Sequence, residues 1–258
     1  MADLFWLAKA QIEQIPRSFP LSHGVPRVDD QRVVSSIIHA IRNGLRWRDA
    51  PAGMRPHKTL CNRLIRWSRM GIFNRIFAGL AWRKGQPERL MIDATQRKAH
   101  RTAASLLEKG CSPPWRAHQG RPGSKPHMIP DGQGCAPVMP LSEGQMSDHK
   151  GAALMRDALP SARVLIADKG HNSHRFRQAL AARGIEACMP SRRGRKRRIP
   201  HDRKLYRQWH RIENMFGRLK GRGTASDRRI AMRYGRCAHT FMSATCLAAT
   251  ALFRINEV

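Results

Sequence analysis

The chain has 258 residues, with 48 Lys plus Arg against 18 Asp plus Glu and a formal net charge of +30. A sequence pI of about 11.6 implies a polyanionic partner, of which nucleic acid is the commonest. The 41% of hydrophobic residues suffice for one large domain or two small ones. Six dispersed cysteines without a Cys-x-x-Cys pair exclude a zinc ribbon or redox motif, and no apolar run approaches the roughly 18 residues of a membrane span.

In chain order, a short helix is predicted over about Leu4 to Glu13, followed by a loop punctuated by Pro16, Pro20 and Pro26. Leu4-Phe5-Trp6-Leu7 follows no basic segment and precedes no cleavage site, so no signal peptide is expected and the thiols read as reduced in a cytoplasmic protein. Asp29 or Asp30 is placed to cap a helix that carries Val33, Val34, Ile37, Ile38 and Ile41 at helical spacing and ends at Asn43-Gly44. Leu45 to Pro51 is a connector. A second helix is expected from about Thr59 to Met70, with Arg63, Arg66 and Arg69 basic, and Gly71 separates it from a third over Ile72 to Trp82. Short helices bearing arginines suit DNA, because a helix fits the major groove while Arg and Lys neutralise phosphates. Residues 1–86 are therefore read as a helical DNA-binding region.

From residue 87 the pattern changes. Leu90 to Asp93 reads as a short strand, 96–126 as a basic loop, and Val138 to Leu141 as a strand. Ser147 or Asp148 can cap a helix to about Leu159. Arg163 to Asp168 is apolar, β-branched and short, the clearest strand signal in the chain. A helix over Ser173 to Arg183 stops at Gly184, and a strand follows over Ile185 to Met189. Arg192 to Arg198 holds six basic residues in seven positions, which reads as a loop that tracks phosphates. A helix is predicted over about Arg203 to Lys220 and a buried terminal helix over Phe241 to Phe253. Strands alternating with helices indicate an α/β or α+β layer fold over 87–258.

Acids are scarce, so their positions matter. Asp93 and Asp168 each end an apolar stretch, and Glu213 stands on a helix whose other charges are positive. Two strand-end aspartates and a helical glutamate suit a two-metal phosphoryl-transfer site: Asp93 bridging two ions, Asp168 holding one and Glu213 the other. Mg²⁺ is the expected ion, with Mn²⁺ as a substitute. His171 and His174 lack a third ligand and read as surface residues.

The runs Met91-Ile92-Asp93-Ala94-Thr95, Ser147-Asp148-His149-Lys150-Gly151-Ala152, Leu165-Ile166-Ala167-Asp168-Lys169-Gly170 and His210 to Lys220, with Gly44 to Pro51 and His57-Lys58-Thr59-Leu60 nearer the start, resemble the IS5-type insertion-sequence transposases. The resemblance covers nearly the whole chain. It implies a ribonuclease H-like catalytic domain, a mixed sheet flanked by helices, with Asp93, Asp168 and Glu213 as metal ligands of a DDE enzyme. It further implies binding of double-stranded DNA, both element ends and target, a homo-oligomer assembled on DNA, and a nucleoid-associated location in a bacterial cytoplasm. The family signature on the last catalytic helix is matched by Tyr206, Glu213 and Lys220. At the family's arginine stands Trp209, which has one indole N–H and no charge where Arg has a planar fork of donors. His171-Asn172 replaces the family's Tyr and Asp, and Cys111 to Pro140 diverges most. Pro126, Pro130, Pro137 and Pro140 fall in or near expected strands, where proline removes a ladder donor. Expected DNA contacts are Lys58, Lys125, Arg192, Arg193, Arg195, Lys196, Arg197, Arg198, Tyr206 and Lys220. A decayed copy acting at most as a DNA-binding protein is the alternative reading, and a nuclease without strand transfer is another.

Overall fold

The computed structural model describes residues 4–13, 15, 19–20, 29–81, 87–95, 97–98, 123–131, 139–143, 146–219 and 237–255. They fall into two compact units. One holds the helices up to Leu80 together with the chain from Arg218 onward, and the other holds 81–98 with the described residues of 114–217.

The first unit is helical. Its elements are α1 (Lys9–Glu13), α2 (Asp30–Arg42), α3 (His57–Arg69) and α4 (Ile72–Ala81). Asp29 caps α2 by accepting the Arg32 N–H at 3.1 Å. The turns after α2 and α3 are made by Gly44 and Gly71, both at φ 65, a left-handed conformation that favours glycine. The predicted first helix is shorter than expected because tertiary hydrogen bonds occupy its backbone. The Leu7 N–H donates to Ser35 Oγ, Gln31 Nε2 donates to the Leu7 carbonyl, and the Phe5 N–H donates to His39 Nδ1. The connector contains one 3₁₀ turn, Trp47–Asp49. Trp82 and Pro26 lie outside the described residues. The core is the apolar face of α2 against α3, centred on Ile37, Ile38, Leu60, Leu64 and Trp67, all buried. Trp67 packs on Phe19 at 4.6 Å and edge-on to Phe73 at 6.0 Å between ring centroids. The predicted terminal helix is α9 (Ala238–Thr250), continued by a π turn over Ala251–Ile255. It packs against α2 and α3.

The second unit is a six-stranded mixed sheet in the order β2-β3-β1-β5-β6, with β4 paired to β3. The strands are β1 (Arg89–Ala94), β2 (Arg97–Lys98), β3 (Gly123–Met128), β4 (Leu141–Glu143), β5 (Val164–Ala167) and β6 (Glu186–Cys188). β1, β5 and β6 are parallel, while β2, β3 and β4 are antiparallel to their neighbours. The helices are α5 (Asp148–Met155, extended by a 3₁₀ turn over Arg156–Ala158), α6 (His174–Ala181), α7 (Arg203–Tyr206) and α8 (His210–Leu219). One face of the parallel strands, Leu90, Ile92, Leu165 and Ala167, is buried with Met155, Phe176 and Leu180 of α5 and α6.

Lys125 and Pro126 belong to a strand and not to the basic loop expected over 96–126. Pro126 is accommodated because the ladder uses its acceptor and does not require its missing donor. Its carbonyl takes the Thr95 N–H at 3.1 Å, and the Pro130 and Pro140 carbonyls take the N–H groups of Met91 and His127. Proline therefore costs little here. The strand expected to begin at Val138 begins at Leu141, and Pro137 and Val138 lie outside the described residues. Ser147 stands at the N-cap of α5 without a side-chain bond, its carbonyl accepting from Lys150 and Gly151. Ser173 caps α6 by accepting the Phe176 N–H.

Gly151 is required by packing. A Cβ there would overlap the imidazole of His127, whose ring is 1% exposed and held by Ser142 Oγ at 2.7 Å from Nε2. Gly151→Ala gains helix propensity of about 1 kcal/mol, yet overpacking of a closed core costs about 1–3 kcal/mol. The expected outcome is a lower thermal midpoint. The same substitution in a His127→Ala background is expected to cost little or to stabilise, and this coupling is measurable by a double-mutant cycle.

Candidate active site

The register of β1 on β5 brings two aspartates together. Arg89, Leu90, Met91 and Ile92 pair in parallel with Val164, Leu165, Ile166 and Ala167, so Asp93 and Asp168 are the next residues on neighbouring strands. Adjacent strands lie about 4.8 Å apart. By alternation both acids continue the face of Met91 and Ile166, opposite the face covered by α5 and α6.

Asp168 is fixed by its own loop. Its Oδ1 accepts the N–H groups of Gly170 at 2.9 Å and His171 at 3.2 Å, and lies 2.6 Å from His171 Nδ1. Burial works to raise its pKa, but these hydrogen bonds and the neighbouring imidazole outweigh it and leave the carboxyl below its ordinary value. His171 is therefore not a surface residue. It is fully buried, with its ring against a carboxylate, while His174 is exposed at the start of α6.

Two further groups join the aspartates. A Cβ on Gly170 would stand 2.8 Å from Asp148 Oδ2 and 3.0 and 3.1 Å from the Asp168 oxygens. The bare Cα of Gly170 thus lets both carboxylates close over the same backbone. Asp148, in the first turn of α5, pairs with Lys125 Nζ at 2.5 Å. Lys125 also donates to the Met146 carbonyl at 3.2 Å, so its charge is engaged within the protein. Burial first, then the charge of Lys125 and the neighbouring His171, depress the His127 pKa to about 4. Burial raises the Asp93 carboxyl to about 6; the Ala94 N–H and His171 oppose this, and Asp168 and Asp148 add to it. Asp148, His127 and His171 were not singled out as site residues in the sequence. Asp148 stood within a family-like run, the one signal that pointed to it.

Glu213 is exposed in the first turn of α8. Arg203 to Leu219 is helical throughout, with a 3₁₀ stretch over Arg207–Trp209, and α7 lies against β5. Asp202 caps α7 by accepting the Leu205 N–H. Burial raises the Tyr206 phenol, and the charges of Asp168 and Glu213, then Cys188 and Asp93, add to it. Trp209 stacks on Tyr206 at 6.2 Å with an interplanar angle of 10°, and its Nε1 is buried without a hydrogen-bond partner. Among the described residues no three His, Cys, Asp or Glu side chains form a closed metal site. Carboxylates are the ligands that a hard cation takes, and Asp93 and Asp168 at neighbouring strand ends would supply two of them.

The expected DNA contacts divide by what they touch. Arg192 donates from Nε and Nη2 to the carbonyls of Lys169 and Gly170 at 3.1 and 2.8 Å. Arg195 donates to Asn172 Oδ1 at 3.1 Å. Arg193, Lys196, Arg197 and Arg198 are exposed on the same loop, and Lys58 is exposed in the first turn of α3. Lys220 lies outside the described residues. No helix among the described residues is long and apolar enough to cross a membrane.

Residues 7–77 match the family described as "Putative transposase of IS4/5 family", and residues 84–249 match "Transposase DDE domain". An uncharacterized protein, y4sN, of Sinorhizobium fredii is 35% identical over 79 residues, which is 31% of this chain and 62% of that protein. The "Putative transposase for insertion sequence element IS402" of Burkholderia cepacia is 30% identical over 135 residues, 48% of this chain and 62% of that protein. The chain thus spans 62% of the length of these relatives. The piggyBac transposase, solved as a synaptic complex with hairpin DNA, superposes with a TM-score of 0.50 at 10% identity, covering 94% of this chain and 70% of that one. That likeness concerns the fold, the ribonuclease H-like mixed sheet with flanking helices. With the DDE match covering most of the sequence and two strand-end aspartates side by side on its sheet, the chain belongs to the transposases of the DDE class.

Proposed function

We propose that this chain is an insertion-sequence transposase that hydrolyses phosphodiesters at the ends of its element and then directs the freed 3′-hydroxyl at target DNA. The observation carrying this reading is the parallel register that puts Asp93 and Asp168 at the ends of neighbouring strands. Two acids far apart in sequence thus stand at adjacent strand ends inside a chain of net charge +30, and Glu213 of α8 would complete the set. Asp93, Asp168 and Glu213 would hold divalent cations, Mg²⁺ or Mn²⁺. Such ions, when bound, lower the pKa of an attacking hydroxyl and neutralise a leaving oxygen.

The remaining chemistry belongs to the chain. Asp168 keeps its orientation because Oδ1 is occupied by His171 and the Gly170 N–H, leaving Oδ2 without these partners. His171 is a positioning residue. Lys125 holds Asp148 away from full repulsion with Asp168. The arginine-rich loop and Lys58 supply cations for duplex DNA at the element ends and target, and assembly of a homo-oligomer on that DNA completes the proposal.

A second reading, a copy that binds DNA without cutting it, is favoured by Trp209. It stacks on Tyr206 where the family presents a guanidinium, and it supplies no charge to a phosphate.

Asp93→Asn, Asp168→Asn and Glu213→Gln are each expected to lower Mg²⁺-dependent cleavage of an element-end duplex at least about 100-fold with duplex affinity little changed. Wild-type protein that binds the duplex and cuts it with neither Mg²⁺ nor Mn²⁺ establishes the second reading instead. Trp209→Arg is expected to raise the cleavage rate about tenfold or more, the scale of one restored charge-assisted hydrogen bond; no gain means that Trp209 is not a lesion.

A further inference from the structure

A cavity of about 610 Å³ opens beside the Asp168 loop, lined by Lys169, Arg192, Arg193, Arg198, His201 and Arg203, with no acidic residue in its wall. Its size suits a small-molecule-sized group. A concave wall of one sign focuses the field toward whatever enters, and guanidinium forks match phosphate oxygens.

The cavity is built from a fixed loop. Ser191 closes the loop at its base: its Oγ accepts the Ile199 N–H at 2.8 Å and lies 3.2 Å from the Ile199 carbonyl, to which it donates. Arg192 ties it to the carbonyls of Lys169 and Gly170, and Arg195 ties it to Asn172. Asn172 in turn donates to the Pro190 carbonyl at 2.7 Å and accepts from Arg177 Nε at 2.9 Å. The basic run is thus two kinds of residue. Arg192 and Arg195 hold the loop against the segment that carries Asp168, Arg192 from the cavity wall, while Arg193 and Arg198 line the cavity and are exposed.

We infer that this cavity is a preformed seat for the phosphodiester backbone of one DNA strand, with Lys169, Arg193, Arg198 and Arg203 as its phosphate contacts and Arg192 and Arg195 as positioning residues. Lys169 immediately follows Asp168, so a strand seated here runs past the acidic site. The inference rests on the transposase reading and names the place where its DNA is gripped.

The test is the salt dependence of binding to a 30-base-pair duplex of arbitrary sequence, measured by fluorescence anisotropy between about 50 and 200 mM salt. Each lost phosphate contact lowers the log–log slope by about 0.9, so Arg193→Gln with Arg198→Gln is expected to lower it by about 1.8. Arg156→Gln with Arg175→Gln removes the same charge from exposed positions outside the cavity and is expected to change the slope by less than half as much. All four side chains are exposed, so both variants are expected to keep the wild-type thermal midpoint. Equal slopes for the two double variants, or no change in the cavity pair, overturn the seat while leaving the transposase reading intact. Failure of the wild type to bind duplex DNA overturns both. Binding that follows the expected slopes without any cleavage supports the seat and removes only the catalytic reading.

Discussion

The pairing of Ile92 with Ala167 in the parallel ladder forces a costly juxtaposition at the next step of each strand. Asp93 and Asp168 must sit about one strand spacing apart, where two unit charges at an effective dielectric of about 20 repel by about 3 kcal/mol. Asp148 adds a third negative group over Gly170. The unit does not relieve this evenly. Lys125 answers Asp148, and His171 with two backbone N–H groups answers Asp168. Asp93 is raised to about 6, chiefly by burial, with the charges of Asp168 and Asp148 adding the smaller share. An arrangement serving stability alone would share the cations among all three acids, because an unpaired buried carboxylate is destabilising.

Closeness of this kind depends on missing side chains. Gly170 leaves room for two carboxylates over its Cα, and Gly151 leaves room for the His127 ring against α5. The second void matters to the first, since His127 helps fill the space beside Lys125 and is held neutral at physiological pH by burial and by that lysine. A charged imidazole there would compete for Asp148. The antiparallel strand β3 supplies Lys125 and His127 together, through a register in which Met128 stands opposite Asp93.

What could be read from residues alone follows a physical division. Local signals are the legible ones: Asp29 caps α2, a helix follows Ser173, Gly44, Gly71 and Gly184 take positive φ, and Val164–Ala167 is a buried strand. Those signals act within a few residues. β3 was hidden because Lys125-Pro126-His127 carries neither alternation nor β-branching, and only the partner strands show that the Pro126 carbonyl, not its missing N–H, meets the ladder. His171 was misread for the same kind of reason. Its i, i+3 relation to His174 suggested a pair, whereas its true partner, Asp168, lies i−3 on the other side of a turn. The start of α1 failed because Ser35, Gln31 and His39 claim the backbone of the first residues, and no window of sequence contains both partners.

Composition was the coarsest signal and requires the finest correction. A net charge of +30 says only that cations outnumber acids. The structure shows that many serve internal ends: Arg177 and Arg183 bond backbone carbonyls, Arg192 and Arg195 anchor a loop, and Lys125 neutralises an acid. Those charges are as structural as a capping residue. Cations in excess of acids repel one another, and a high net charge destabilises the compact state. A polyanion that binds only the folded chain then adds RT ln(1 + [L]/Kd) to its stability. On the proposed function, recognition and folding would be linked: the exposed arginines that repel one another in the free protein are those whose repulsion a bound nucleic-acid backbone would remove.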